Sequence, residues 1–159
     1  MLKVKIKQTW IGINLIMIIS MIIIGGITRL TDSGLSMTEW SLIGGIIPPL
    51  NQNDWMELFD KYKNTPEFLL KNFDISLAEF KKIFFWEYFH RIWGRLIGIT
   101  YAIPFLIFLV KGMLDSNEKK IYTFLLFLGS FQAFMGWFMV ESGLNERPDV
   151  SHLGYRLTY

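Results

Sequence analysis

The segment Trp86-Glu87-Tyr88-Phe89-His90-Arg91-Ile92-Trp93-Gly94-Arg95 gathers the side chains of this chain best suited to chemistry. On a helix, Glu87 lies three residues before His90 and four before Arg91, so the three occupy adjoining strips of one face. A carboxylate beside an imidazole can move protons, and the imidazole can ligate a metal. Gly94 and Gly98 continue nearly the same strip, and glycine there lets a partner helix or a flat ligand approach the backbone closely. Arg95 either snorkels outward or pairs a propionate, since guanidinium matches a carboxylate in a bidentate fork. A plainer reading stands beside each of these. Glu87 and Arg91 also suit an i,i+4 ion pair at a helix end, His90 an interfacial hydrogen bond, and the two glycines simple helix packing.

These groups need a scaffold, and composition indicates which. The 159 residues are 52% apolar with a mean hydropathy of +0.33, which favours a small helical membrane bundle over a soluble domain. Sixteen basic against fourteen acidic side chains leave a charge of +2, far from the basic footprint of nucleic-acid binding. The absence of cysteine excludes disulfides, thiolate nucleophiles and thiolate-bound metals, leaving metal chemistry to His90, His152, carboxylates or a cofactor.

Three apolar runs are long enough to cross a bilayer, at about 11–27, 84–110 and 121–140. Lys3, Lys5 and Lys7 precede the first as in a signal peptide, but no small-x-small cleavage pattern follows, so it reads as a retained anchor. Ser76 and Glu79 have capping-box spacing, which starts the second helix before the membrane. Between these helices, 28–82 forms an extramembrane loop with eight acidic and six basic side chains. Its Trp40, Trp55 and paired Pro48 and Pro49 suggest an ordered cap. The lysines at the N-terminus and in the linker Lys111, Lys119 and Lys120 place both on the cytoplasmic side by the positive-inside rule, with the acidic loop outside. The Trp and Phe residues at 84, 85, 86 and 93 read mainly as belt or packing residues.

A weak internal repeat pairs the ends of the first and third spans: Asp32-Ser33-Gly34-Leu35 and Glu141-Ser142-Gly143-Leu144 leave them in the same way. Arg156-Leu157-Thr158-Tyr159 reads as the opening turn of a fourth helix.

The run from Gly25-Gly26-Ile27-Thr28-Arg29-Leu30-Thr31-Asp32-Ser33-Gly34-Leu35-Ser36-Met37 through Pro48-Pro49 to Trp86–Arg95 resembles haem A synthase of the proteobacterial and mitochondrial type. Val140-Glu141-Ser142-Gly143-Leu144 and Asp149-Val150-Ser151 extend the likeness nearly to the chain's end. The resemblance implies the N-terminal, substrate-haem half of an eight-helix, two-halved membrane fold. It implies oxidation of the C8 methyl of haem O to the formyl group of haem A, with haem O as substrate and haem b held in the other half. Glu87 then matches the catalytic carboxylate and His90 the first ligand of a histidine pair to haem iron. Arg29, Arg91, Arg95 and Gly94 are the accompanying cofactor-binding candidates.

The family pattern has two further residues between a Tyr-Arg-Leu run and its second histidine, and here Tyr155-Arg156-Leu157 is followed only by Thr158 and Tyr159, so that histidine would be the next residue. His152 precedes that run and reads as a loop histidine, while Arg147 and Arg156 are interfacial anchors or anion clamps. The expected setting is a bacterial inner membrane with a cytoplasmic N-terminus. Expected partners are lipid, haem, a separately encoded C-terminal half, and haem O synthase or terminal oxidase assembly. Two rival readings are a non-catalytic fragment of a split or decayed gene and a haem-holding membrane protein.

Overall fold

The computed structural model describes residues 2–38 and 45–145, with side chains through Glu141, and the described residues form helices and turns. In order these are α1 (Leu2–Leu30), α2 (Gln52–Lys63), α3 (Pro66–Leu70), α4 (Leu77–Val110) and α5 (Ser116–Asn145). Helices α1, α4 and α5 are long and apolar enough to cross a membrane, as the three apolar runs predict. Each exceeds its apolar run because flanking polar residues remain helical. Lys3, Lys5 and Lys7 sit within α1, where straight-chain side chains keep good helix propensity.

Helices α1 and α4 pack antiparallel, and their register is pinned by polar contacts. Pro104 lies inside α4 and has no N–H to offer the carbonyl of Thr100 one turn back. In an apolar medium that orphaned carbonyl is costly, and α1 supplies the missing donor. Trp10 Nε1 donates to Thr100 O at 2.9 Å, with Asn14 Nδ2 at 3.5 Å. Higher up, Trp93 Nε1 donates to Met17 O at 3.0 Å and Thr28 Oγ1 to Trp86 O at 3.4 Å. Around Trp10, the rings of Tyr101, Phe108 and Tyr122 lie with centroids 5.0–5.3 Å from the indole, tying α5 to the pair. A Lys7–Glu118 ion pair at the same end joins α1 to α5. Most other α5 side chains, including Phe124, Phe127, Phe131 and Phe134, are exposed, as suits a lipid-facing or helix-facing surface.

At the opposite end the connection between α1 and α4 folds back as a cap. Asp32 takes φ of 48°, a left-handed conformation that Asp tolerates, and the Ser33 N–H returns to Thr28 O at 2.9 Å. This turn ends α1 and carries 33–37 inward, where Ser33, Leu35, Ser36 and Met37 are all buried. Helices α2 and α3 are started by Asn51 and Thr65, whose side chains accept the Asp54 and Phe68 N–H groups. They bring Tyr62 and Phe68 onto Phe80 and Phe84 of α4, with Met37 in the same apolar cluster. Burial pushes the Tyr62 phenol up to about 12. The capping box at the start of α4 is complete, with Ser76 Oγ accepting the Glu79 N–H and the Glu79 carboxylate accepting the Ser76 N–H.

Candidate functional site

Glu87 is the most deeply placed charge on α4, 2% exposed beneath the cap. A lone carboxylate there would be costly, and every contact it makes reduces that cost. Oε2 accepts from Ser36 Oγ at 2.6 Å and from the Met37 N–H at 2.8 Å. Arg91, one turn along α4, pairs with Oε1. The turn at Asp32 therefore has a second consequence: it delivers a hydroxyl and an amide to a carboxylate more than fifty residues further on. Ser36 and Met37 belong to the motif that carries the resemblance, but local periodicity could not assign them to Glu87, because the link is formed only when the cap closes.

His90 is half-buried beside α1. Its Nε2 edge lies against Gly25, where an added Cβ would come to 3.4 Å, in contact with the ring and leaving no room for a larger side chain directed that way. Among the described residues, no hydrogen bond ties up either imidazole nitrogen. One nitrogen of a neutral ring is then open to ligate a metal.

The remaining candidates divide by face. Gly94 packs on Met21 of α1, whose Cε would lie 3.4 Å from an added Cβ, whereas Gly98 has nothing within 4 Å. Arg91 and Arg95 are half-buried on the Glu87 side, and Arg29 is exposed in the last turn of α1. Glu87, His90, Arg91 and Arg95 thus follow one another along α4 just below the cap. Phe84 belongs to the cap core and Phe85 is exposed. His152, Arg147, Arg156 and the Trp40 part of the loop lie outside the described residues.

Sequence reading missed a second buried carboxylate. Glu67 of α3 is 3% exposed, its Oε1 lies 3.8 Å from Lys71 Nζ, and among the described residues its Oε2 accepts no hydrogen bond. Burial raises it to about 7, with Lys71 opposing and the negative charges of Asp32 and Glu87 adding to the shift. Its position four residues before a lysine looks like an ordinary exposed pair; only the packing of α3 within the cap buries it.

A buried carboxylate and, one turn on, an imidazole with no hydrogen bond among the described residues, carried on a membrane-type helix under a cap contributed by the preceding loop, mark the candidate site of a helical membrane protein. The chain belongs to the COX15-CtaA family, described as cytochrome oxidase assembly protein, whose model matches residues 8–158. It is 50% identical to a heme A synthase of Neorickettsia sennetsu across 94% of this chain and 46% of that protein. It is also 50% identical to one from Nitrosospira multiformis, across 94% of this chain and 41% of the relative. A heme A synthase of Flavobacterium psychrophilum is 47% identical across 94% of this chain and 45% of its own length. The chain thus spans less than half the length of these curated relatives. No solved structure matches.

Proposed function

We infer that this chain provides the substrate-haem side of haem A synthesis, in which the C8 methyl of haem O becomes the formyl group of haem A. The single observation that carries this is the pairing on α4 of the buried, triply held Glu87 with His90, whose ring makes no hydrogen bond among the described residues. The relatives' name supports it for proteins more than twice this long. His90, its ring seated against Gly25, would hold the substrate iron through its open nitrogen. Oxidation of the methyl to a formyl group needs an electron acceptor and an oxygen donor supplied from outside this chain; as the electrons leave, protons are released, and Glu87 is the base positioned to take them. Arg91 orients that carboxylate, while Arg95 and Arg29 supply cationic partners for the substrate's propionates. The haem b expected of the complete enzyme belongs to a C-terminal half, supplied by a separate chain or by further sequence.

The antiparallel bundle puts Lys3, Lys5 and Lys7 at the same end as Lys111, Lys119 and Lys120, and the acidic cap at the other. This supports a bacterial inner-membrane setting with the N-terminus cytoplasmic and the site near the outer surface.

The test is to purify the chain from membranes that make haem O, alone and with a supplied C-terminal half, and to analyse the extracted haem. Bound haem O that becomes haem A only with the partner half supports the reading, and absence of haem in both preparations overturns it. A haem-holding role, favoured by the single assigned ligand, is separated by variants: Glu87→Gln keeps haem in either case but abolishes formyl production only in an enzyme.

A further inference from the structure

At the basic end of the bundle, on the flank of α1 and α4, a groove of about 550 Å³ is lined by Ile6, Trp10, Ile13, Thr100, Pro104 and Phe108, with Lys5 and Thr9 along its rim. No residue of α5 contributes to it, so it opens on the outside of the three-helix arrangement rather than toward Glu87 and His90. From Lys5 to Ile13 it runs about 12 Å along the helix, which suits the upper part of an acyl chain laid parallel to α1. The charges at its mouth are unequal. Lys7 is held by Glu118, whereas among the described residues Lys5 has no carboxylate partner. Thr9 adds an exposed hydroxyl one turn further in.

We propose that this groove is a binding site for an anionic phospholipid of the bilayer, with one acyl chain against Trp10, Ile13 and Pro104 and the headgroup phosphate on Lys5. An apolar slot inside a membrane selects nothing by itself, since any lipid tail fills it. Selectivity comes from Lys5, a cation at headgroup depth directly over the slot. The site is separate from the candidate haem site and does not depend on the reading of Glu87 and His90.

The 159-residue chain is reconstituted in phosphatidylcholine nanodiscs containing a small fraction of phosphatidylglycerol, with bromine on the acyl chains of one lipid or the other. Quenching of Trp10 is taken as the difference between the wild type and Trp10→Phe. About fivefold stronger quenching per mole is expected from brominated phosphatidylglycerol than from brominated phosphatidylcholine. Lys5→Gln should remove that preference, and Lys111→Gln, at the same membrane edge, should keep it. Equal quenching by the two lipids, or a preference that survives Lys5→Gln, overturns the proposal. Quenching by neither lipid does so as well, showing protein in the groove, from a second copy or a further helix. If Trp10→Phe fails to fold, native mass spectrometry decides instead: wild type should retain phosphatidylglycerol over phosphatidylcholine and Lys5→Gln should not, and equal retention overturns the idea.

Discussion

The hydroxyl of Ser36 donates a 2.6 Å hydrogen bond to Oε2 of Glu87, joining the turn after α1 to the middle of the site helix. Both groups are buried, and the acceptor is a carboxylate, so the bond belongs to the stronger class. Ser36→Ala should therefore destabilise the chain by about 1.5–3 kcal/mol, read as a lower melting temperature in detergent. In a double-mutant cycle with Glu87→Gln, the two losses should fall short of additive, because the second variant already weakens the bond that the first removes. Strict additivity would show that the contact contributes nothing.

Gly25 and Gly26 are neighbours on α1 with opposite surroundings. An added Cβ meets His90 Nε2 at 3.4 Å at the first and nothing within 4 Å at the second. Alanine at 25 is only just accommodated, while a branched side chain must turn the imidazole. Gly25→Val should reduce haem retention severalfold under conditions where Gly26→Val leaves it near wild type, as measured by the absorbance of purified protein. Equal retention in the two variants would mean that His90 is not the group holding haem.

Trp10 and Pro104 are coupled through the carbonyl of Thr100. Trp10→Phe keeps most of the ring but removes the 2.9 Å donor, at a cost of about 0.5–1.5 kcal/mol. Pro104→Ala returns a backbone N–H to that carbonyl, so Trp10→Phe should cost less in the Pro104→Ala background than in the wild type. Thermal melting of the four proteins checks this, and an unchanged cost would show that the indole hydrogen bond is not what matters at this position.

What could be read from the sequence follows from the range of each interaction. The three spans, the capping box at Ser76 and Glu79, and the shared strip of Glu87, His90 and Arg91 are local patterns, set by helical period and apolar run length. The partners of those residues are not local. Ser36 reaches Glu87 because Asp32 turns the chain, and Gly25 meets His90 because α1 lies antiparallel to α4. Composition suggested an ordered cap, but not that it would consist of α2 and α3 or that it would bury Glu67. The repeat of Asp-Ser-Gly-Leu and Glu-Ser-Gly-Leu also diverges in backbone: the first copy turns out of its helix after Leu30, whereas the second stays helical through Asn145.

Glu67 makes the stability of the cap depend on pH. Its carboxyl is raised to about 7 from 4.5 by burial within the cap, so between those values the folded chain holds a proton that the unfolded chain has lost. Unfolding stability falls with pH wherever the native state binds more protons. The contribution of neutral Glu67 is thus complete below about pH 4.5 and is lost as pH rises toward 7. Over that window the loss amounts to about 3 kcal/mol. Glu67→Gln, which stays neutral and keeps the shape, should flatten this part of the profile and melt at a higher temperature than wild type at pH 8. Lys71→Met should act in the opposite direction, since removing the nearby ammonium leaves the ionised carboxylate less stable still. Melting curves between pH 4 and 8 measure both effects, and a Glu67→Gln profile parallel to that of the wild type would show that this carboxyl does not titrate in the folded cap.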